Sequence, residues 1–226
     1  MCLFGKRHKR SLEKEVCNLH FRNPVGVQYV SGNLLLAGKH CALSGFVTLN
    51  PPKENVLQWI TGLQQFRRKT VLAVNISSDI FRTFSLVYDF ADFIIIDPDS
   101  DNGIDSPDVG DTAQLLEQIV SQRLCYEHYT PVFLRLSHGT TPAELHPLLG
   151  CCQLYGIDGA VVHGSRKMQL AIEETKGRLP IIGVAENQQD ALEQLQSGAV
   201  LVETNFGAIT LTKLLKTLEN QPDSEK

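Results

Sequence analysis

Apolar residues along this chain fall into short runs that alternate with stretches of helical period. The runs at residues 24–29, 46–49, 70–76, 93–97, 131–136, 160–163, 179–184 and 199–203 are mostly apolar on both faces, as parallel strands covered on both sides require. Between them, residues 33–43, 55–68, 78–90, 112–123, 142–154, 165–176, 188–196 and 209–218 gather their apolar side chains on one helical face. Eight β-then-α units close a ring, so the expected architecture is α/β, a single (β/α)8 TIM barrel. A doubly wound open sheet is the rival. It would be favoured by a GxGxxG turn after the first strand, and Gly26-Val27-Gln28-Tyr29 does not supply one.

Start signals support several of these helices. Thr141 precedes Pro142 with Glu144 following, Asn187 precedes a polar first turn, and Asp111 stands ahead of Thr112. No Gly-, Ser- or Pro-rich linker divides the chain. Residues 17–220 are therefore read as one barrel, residues 1–16 as a basic N-terminal tail and residues 221–226 as a C-terminal tail.

Composition narrows the function classes. With 226 residues, 42% of them hydrophobic and 20% charged, the chain can bury roughly 70% of its unfolded surface and needs no metal or disulfide to hold a core. Its net charge is 21 − 25 = −4, which gives no overall positive field to gather nucleic acid. The run Lys6-Arg7-His8-Lys9-Arg10 reads as a solvated tail, with contact to RNA or an anionic membrane as the alternative. No apolar stretch approaches the ~20 residues of a membrane span, and no secretion signal is visible, so no membrane partner and a cytoplasmic location are expected. Cys2, Cys17, Cys41, Cys125, Cys151 and Cys152 then read as free thiols, with the Cys151-Cys152 pair in the core. None has zinc-ligand spacing, and no metal site follows from them.

In a barrel of this kind, ligands sit where the strands end, and there the sequence becomes specific. Phe21-Arg22-Asn23-Pro24-Val25-Gly26, followed by Gly45-Phe46-Val47-Thr48 and Pro51-Pro52, resembles the opening of dihydroorotate dehydrogenase. The similarity continues in order through Val71–Ile76, Pro131-Val132-Phe133-Leu134-Arg135-Leu136, Gly156-Ile157-Asp158-Gly159, Leu179-Pro180-Ile181-Ile182-Gly183-Val184, Asp190-Ala191, Ser197-Gly198-Ala199 and Phe206-Gly207, spanning residues 17–218.

The resemblance implies a flavoenzyme in which dihydroorotate gives a proton to a Ser or Cys base and a hydride to FMN, yielding orotate in pyrimidine biosynthesis. It would make Ser100 the base, with Asn102 and Ser165 at the substrate. Arg135 would replace a Lys beside the flavin, with a structural ion pair to the acidic loop as the equal alternative, and Thr48, Asn75, Asp97, Gly183 and Gly207 would complete the cofactor contacts. The family's pattern is only partly kept. Its NxSSPN loop reads Asp97-Pro98-Asp99-Ser100-Asp101-Asn102, its Gly-Gly phosphate turn reads Gly183-Val184-Ala185-Glu186, and its Asn-Thr pair after the sixth strand reads Gly164-Ser165. The long insertion that follows that strand in the family is absent. Three acids near an anionic substrate and flavin oppose binding, each by about 1 kcal/mol in water at ~4 Å and ~4 kcal/mol at an effective dielectric of 20.

Two functions stay open: an FMN-dependent oxidoreductase, and a binding or regulatory barrel that has lost FMN. Either takes a small-molecule ligand, and a homodimer or partner subunit fits the second. Gln28 and His163 are further mouth residues, His163 reading as hydrogen-bonded structure. The run Asp97–Asp108 places carboxylates at the first, third, fifth, ninth and twelfth positions of a stretch resembling a calcium loop. Its Gly103 comes one residue late and Asp108 stands where Glu is usual. A solvated loop is the leading reading, with a cation site and a remodelled substrate loop as alternatives.

Overall fold

The computed structural model describes residues 10–29, 40–66, 69–98 and 108–221. A hairpin of β1 (Lys14–Val16) and β2 (Leu19–Phe21) precedes eight parallel strands: β3 (Val25–Tyr29), β4 (Phe46–Leu49), β5 (Val71–Ile76), β6 (Phe93–Ile96), β7 (Val132–Arg135), β8 (Gly159–His163), β9 (Ile181–Ala185) and β10 (Leu201–Thr204). They close into a barrel in chain order, with β10 returning to β3. The (β/α)8 reading therefore holds. The open sheet does not occur.

Helices α1 (Val56–Leu63), α2 (Ile80–Val87), α3 (Val109–Arg123), α4 (Pro142–Tyr155), α5 (Ser165–Thr175), α6 (Gln188–Gln196) and α7 (Ala208–Asn220) pack outside the ring. Most of the helix expected over 33–43 lies outside the described residues. α3 begins three residues earlier than its pattern suggests: Asp108 takes the cap position and Asp111 falls in the first turn, where its charge complements the helix dipole. Thr141 and Glu144 form the reciprocal capping box of α4, and the Asn187 side chain accepts from the Asp190 amide at the start of α6.

Residues 14–16, within the stretch read as tail, pair with 19–21 around Cys17 and Asn18. Both turn residues have positive φ (51° and 63°), the geometry that matches the twist of a two-residue hairpin. Val16 and Phe21 pack against the bottom of the barrel interior.

Strand alternation builds two layers. Val47, Val74, Ile96, Leu134, Val162 and Val202 face the helices, whereas Phe46, Ala73, Phe93, Phe133, Val161, Ile182 and Leu201 fill the lower interior. Phe93 lies edge or tilted against Phe46 and Phe133, with centroids 5.7 and 5.4 Å apart. Gly26 makes room for this stack, because a Cβ there would lie 2.2 Å from the Phe46 ring.

The opening motif of the family resemblance is part of this floor. Asn23 donates to the Leu43 carbonyl at 2.8 Å and accepts from the Val25 amide at 3.0 Å. Arg22 donates to the carbonyls of Ala42 and Lys69. Asp158 likewise anchors the bottom, accepting from Arg123 and the Val132 amide, both at 2.8 Å. Among the described residues, no helix is long and apolar enough to cross a membrane, and Cys17, Cys41, Cys125, Cys151 and Cys152 carry free thiols. Cys152 is buried in the core as expected, and Cys151 is half-buried.

Candidate functional site

Above the aromatic floor, the same alternation turns the next interior positions polar. Thr48 on β4, Asn75 on β5, Asp97 after β6, Arg135 on β7, His163 on β8 and Glu203 on β10 follow the inward-facing residues of their strands. Thr48, Asn75, Asp97 and Arg135, chosen from the sequence, thus share one end of the barrel. Ser100 and Asn102 lie outside the described residues, as do residues 99–107 of the acidic run and residues 6–9 of the basic run.

Arg135 is the hub of this mouth. It is 5% exposed, and its Nε donates to Asn75 Oδ1 at 3.0 Å while one terminal nitrogen donates to Glu203 Oε2 at 2.7 Å. Asp97 Oδ2 lies 3.6 Å from Arg135 Nε and accepts from Asn75 Nδ2 at 3.2 Å. The short bond goes to Glu203, so Asp97 acts chiefly through charge. A guanidinium with its planar fork can reach from β7 to both β5 and β10, two and three strands away around the ring, in a way a compact ammonium cannot.

Glu203 was not singled out in the sequence, although a signal existed. Leu201 faces inward and Val202 outward, so the next residue of this buried strand is an interior carboxylate, a placement rare without a partner.

Among the described residues, Glu203 Oε1 and Thr48 Oγ1, both on fully buried residues of this mouth, are two of nine buried side-chain atoms with no hydrogen-bond partner; Asn50 Oδ1, just past β4, is another. His163 is half-buried at the end of β8, with the His138 ring edge-on at 5.8 Å. Burial first, and the nearby Arg135 charge second, push its imidazole down to about 4.

Gly183, Ser165 and Gly207 do not join this polar cluster. Gly183 faces outward, and a Cβ on it would lie 2.1 Å from Gln194 Oε1 and 3.2 Å from Met168 Sδ. Its small size serves helix packing. Ser165 opens α5 and donates to Asp190 Oδ1. The other Asp190 oxygen accepts from the Glu186 amide at 3.0 Å, and Gln194 Nε2 donates to Oδ1 at 3.0 Å. Gly207 is the uncapped residue before α7, with φ −69° and open space where a Cβ would stand.

FMN fits these residues poorly. On the family resemblance its phosphate takes free backbone N–H groups after the seventh and eighth barrel strands. After the seventh, the Glu186 amide already serves the Asp190 carboxylate and the Glu186 side chain adds another anion, whereas the start of α7 at Gly207 carries no side-chain cap. Its reduced ring needs an available cation, but Arg135 is neutralised at 2.7 Å by Glu203.

The fold and its polar mouth define the class: a closed (β/α)8 barrel with the fold of dihydroorotate dehydrogenase. The particular likenesses are to dihydroorotate dehydrogenase from Eimeria tenella. Its complex with ferulenol superimposes with a TM-score of 0.72 at 16% identity, covering 95% of this chain and 84% of that one. The ligand-free form gives 0.70 at 16% identity, covering 96% and 88%. No family model and no curated protein matches the sequence.

Proposed function

We propose that this protein is a small-molecule-binding or regulatory barrel that keeps the dihydroorotate dehydrogenase fold without its flavin chemistry. The observation that carries this reading is the 2.7 Å bond from Arg135 to the fully buried Glu203. A carboxylate of the chain stands against the cation that a reduced flavin would use. The bonded Asp190 at the phosphate turn supports the same reading. Separating Glu203 from Arg135 to admit FMN would leave both charges buried, which costs several kcal/mol. Free thiols and the lack of a positive field suit a cytoplasmic protein, and we place it there.

The convergence of Thr48, Asn75, Asp97 and Arg135 on one mouth favours a second reading, an FMN-dependent oxidoreductase acting on dihydroorotate or a related molecule. Titrating FMN with the protein and following flavin fluorescence separates the two. No saturable change is expected, and stoichiometric quenching would replace the first reading with the second.

A further inference from the structure

We propose that the barrel mouth binds a small ligand presenting N–H donors, and that Glu203 Oε1 and Thr48 Oγ1 receive it. This deepens the small-molecule-binding reading above and rests on it.

Buried polar atoms are almost always paired, and an exception calls for a cause such as strain, a catalytic role, a water, an ion or a ligand. Here two exceptions occur on inward-facing residues of two nearby strands. β10 lies beside β3 and β3 beside β4, so Glu203 and Thr48 are separated by a single strand. On that strand Gly26 stands in register with Glu203 and presents no side chain, and Gln28 stands in register with Thr48. Phe46 packs its ring over Gly26 from below. Gln28 and His163, both half-buried, are further inward-facing positions toward the strand ends.

The chemistry at this spot selects the ligand. Glu203 directs one oxygen to Arg135 and keeps the other without a donor. A carboxylate accepts and does not donate, so only a donor satisfies that atom. An anion placed there meets like charge, because the Arg135 guanidinium is already engaged by Glu203 and Asn75. Thr48 Oγ1 accepts as readily as it donates, and a ligand with two N–H groups can serve both atoms. An amidine or a primary amide has this form. A carboxylate or phosphate does not.

Benzamidine, benzamide and benzoate share a planar shape and differ in donors and charge. Calorimetric titration of each into the full chain tests the inference, with FMN as a separate arm. Benzamidine and benzamide are expected to bind and benzoate to give no heat of binding. Glu203→Gln, which keeps an acceptor for Arg135, should lower benzamidine affinity roughly 10- to 100-fold. Should that variant not fold, Thr48→Val is nearly isosteric, leaves the ion pair intact and should lower affinity by roughly fivefold. Benzoate binding as well as benzamidine, no binding by any of the three, or benzamidine affinity unchanged in Thr48→Val overturns the inference. FMN binding instead overturns the functional reading on which it rests, so the two failures are distinguishable.

Discussion

Replacing Glu203 by Leu tests the energetics of the mouth. The change leaves the 5%-exposed Arg135 without its closest counter-charge, and breaking a buried pair by removing one partner costs about 3–5 kcal/mol. For a chain of this length each kcal/mol shifts the melting temperature by about 2–4 °C, so Glu203→Leu should melt about 6–20 °C lower. Arg135→Met removes the other partner and should also be costly, although Asp97 lies partly exposed and can hydrate. The double variant removes both charges together and should lie within about 1 kcal/mol of the parent or above it. Urea unfolding of the four proteins gives the coupling directly. A loss below about 1 kcal/mol for Glu203→Leu, or additive effects in the double variant, would refute a tightly paired Arg135.

Other consequences are read with equally simple assays. Asp190→Ala should cost about 1–2 kcal/mol in urea, because the Glu186 amide and Ser165 hydroxyl lose their acceptor; an unchanged midpoint would show that water replaces it. Gly26→Ala should destabilise by about 1–3 kcal/mol through its clash with the Phe46 ring, and Phe46→Leu in that background should recover part of the loss. His163 should titrate near 4 by proton NMR. Its folded value lies below the ordinary 6.5, so the unfolded chain binds the extra proton first, and stability present above pH 6.5 should fall as the pH drops toward 4. His163→Gln should flatten that slope. A His163 titration at its ordinary value would contradict the burial argument.

Much of the fold was legible because every unit repeats one physical problem, a strand apolar on both faces beside a helix apolar on one. α4 and α6 were also placed closely by their caps, Thr141 and Asn187. The start of α3 was less visible, since Asp108 and Asp111 are both acceptable near a helix N-terminus. The β1–β2 hairpin was missed because its strands are three residues each and its turn, Cys17-Asn18, carries no glycine.

The site was legible only by position. Thr48, Asn75 and Arg135 could be placed at strand ends, but which acid pairs with Arg135 is decided across the ring, between β7 and β10. No local spacing encodes that contact. Resemblance gave Gly183 a ligand role, whereas its neighbours Gln194 and Met168 show that its size serves packing against the helix layer. Asp190 was read as part of a helix, and its bonds to Ser165 and Glu186 depend on how α5 and the turn before α6 meet.

The visible absorption spectrum of the protein, recorded as purified and again after incubation with excess FMN and desalting, tests the central claim most directly. A mouth whose cation and phosphate turn are satisfied by Glu203 and Asp190 predicts a featureless spectrum both times. Flavin bands that survive desalting in stoichiometric amount would show that those carboxylates yield to the cofactor.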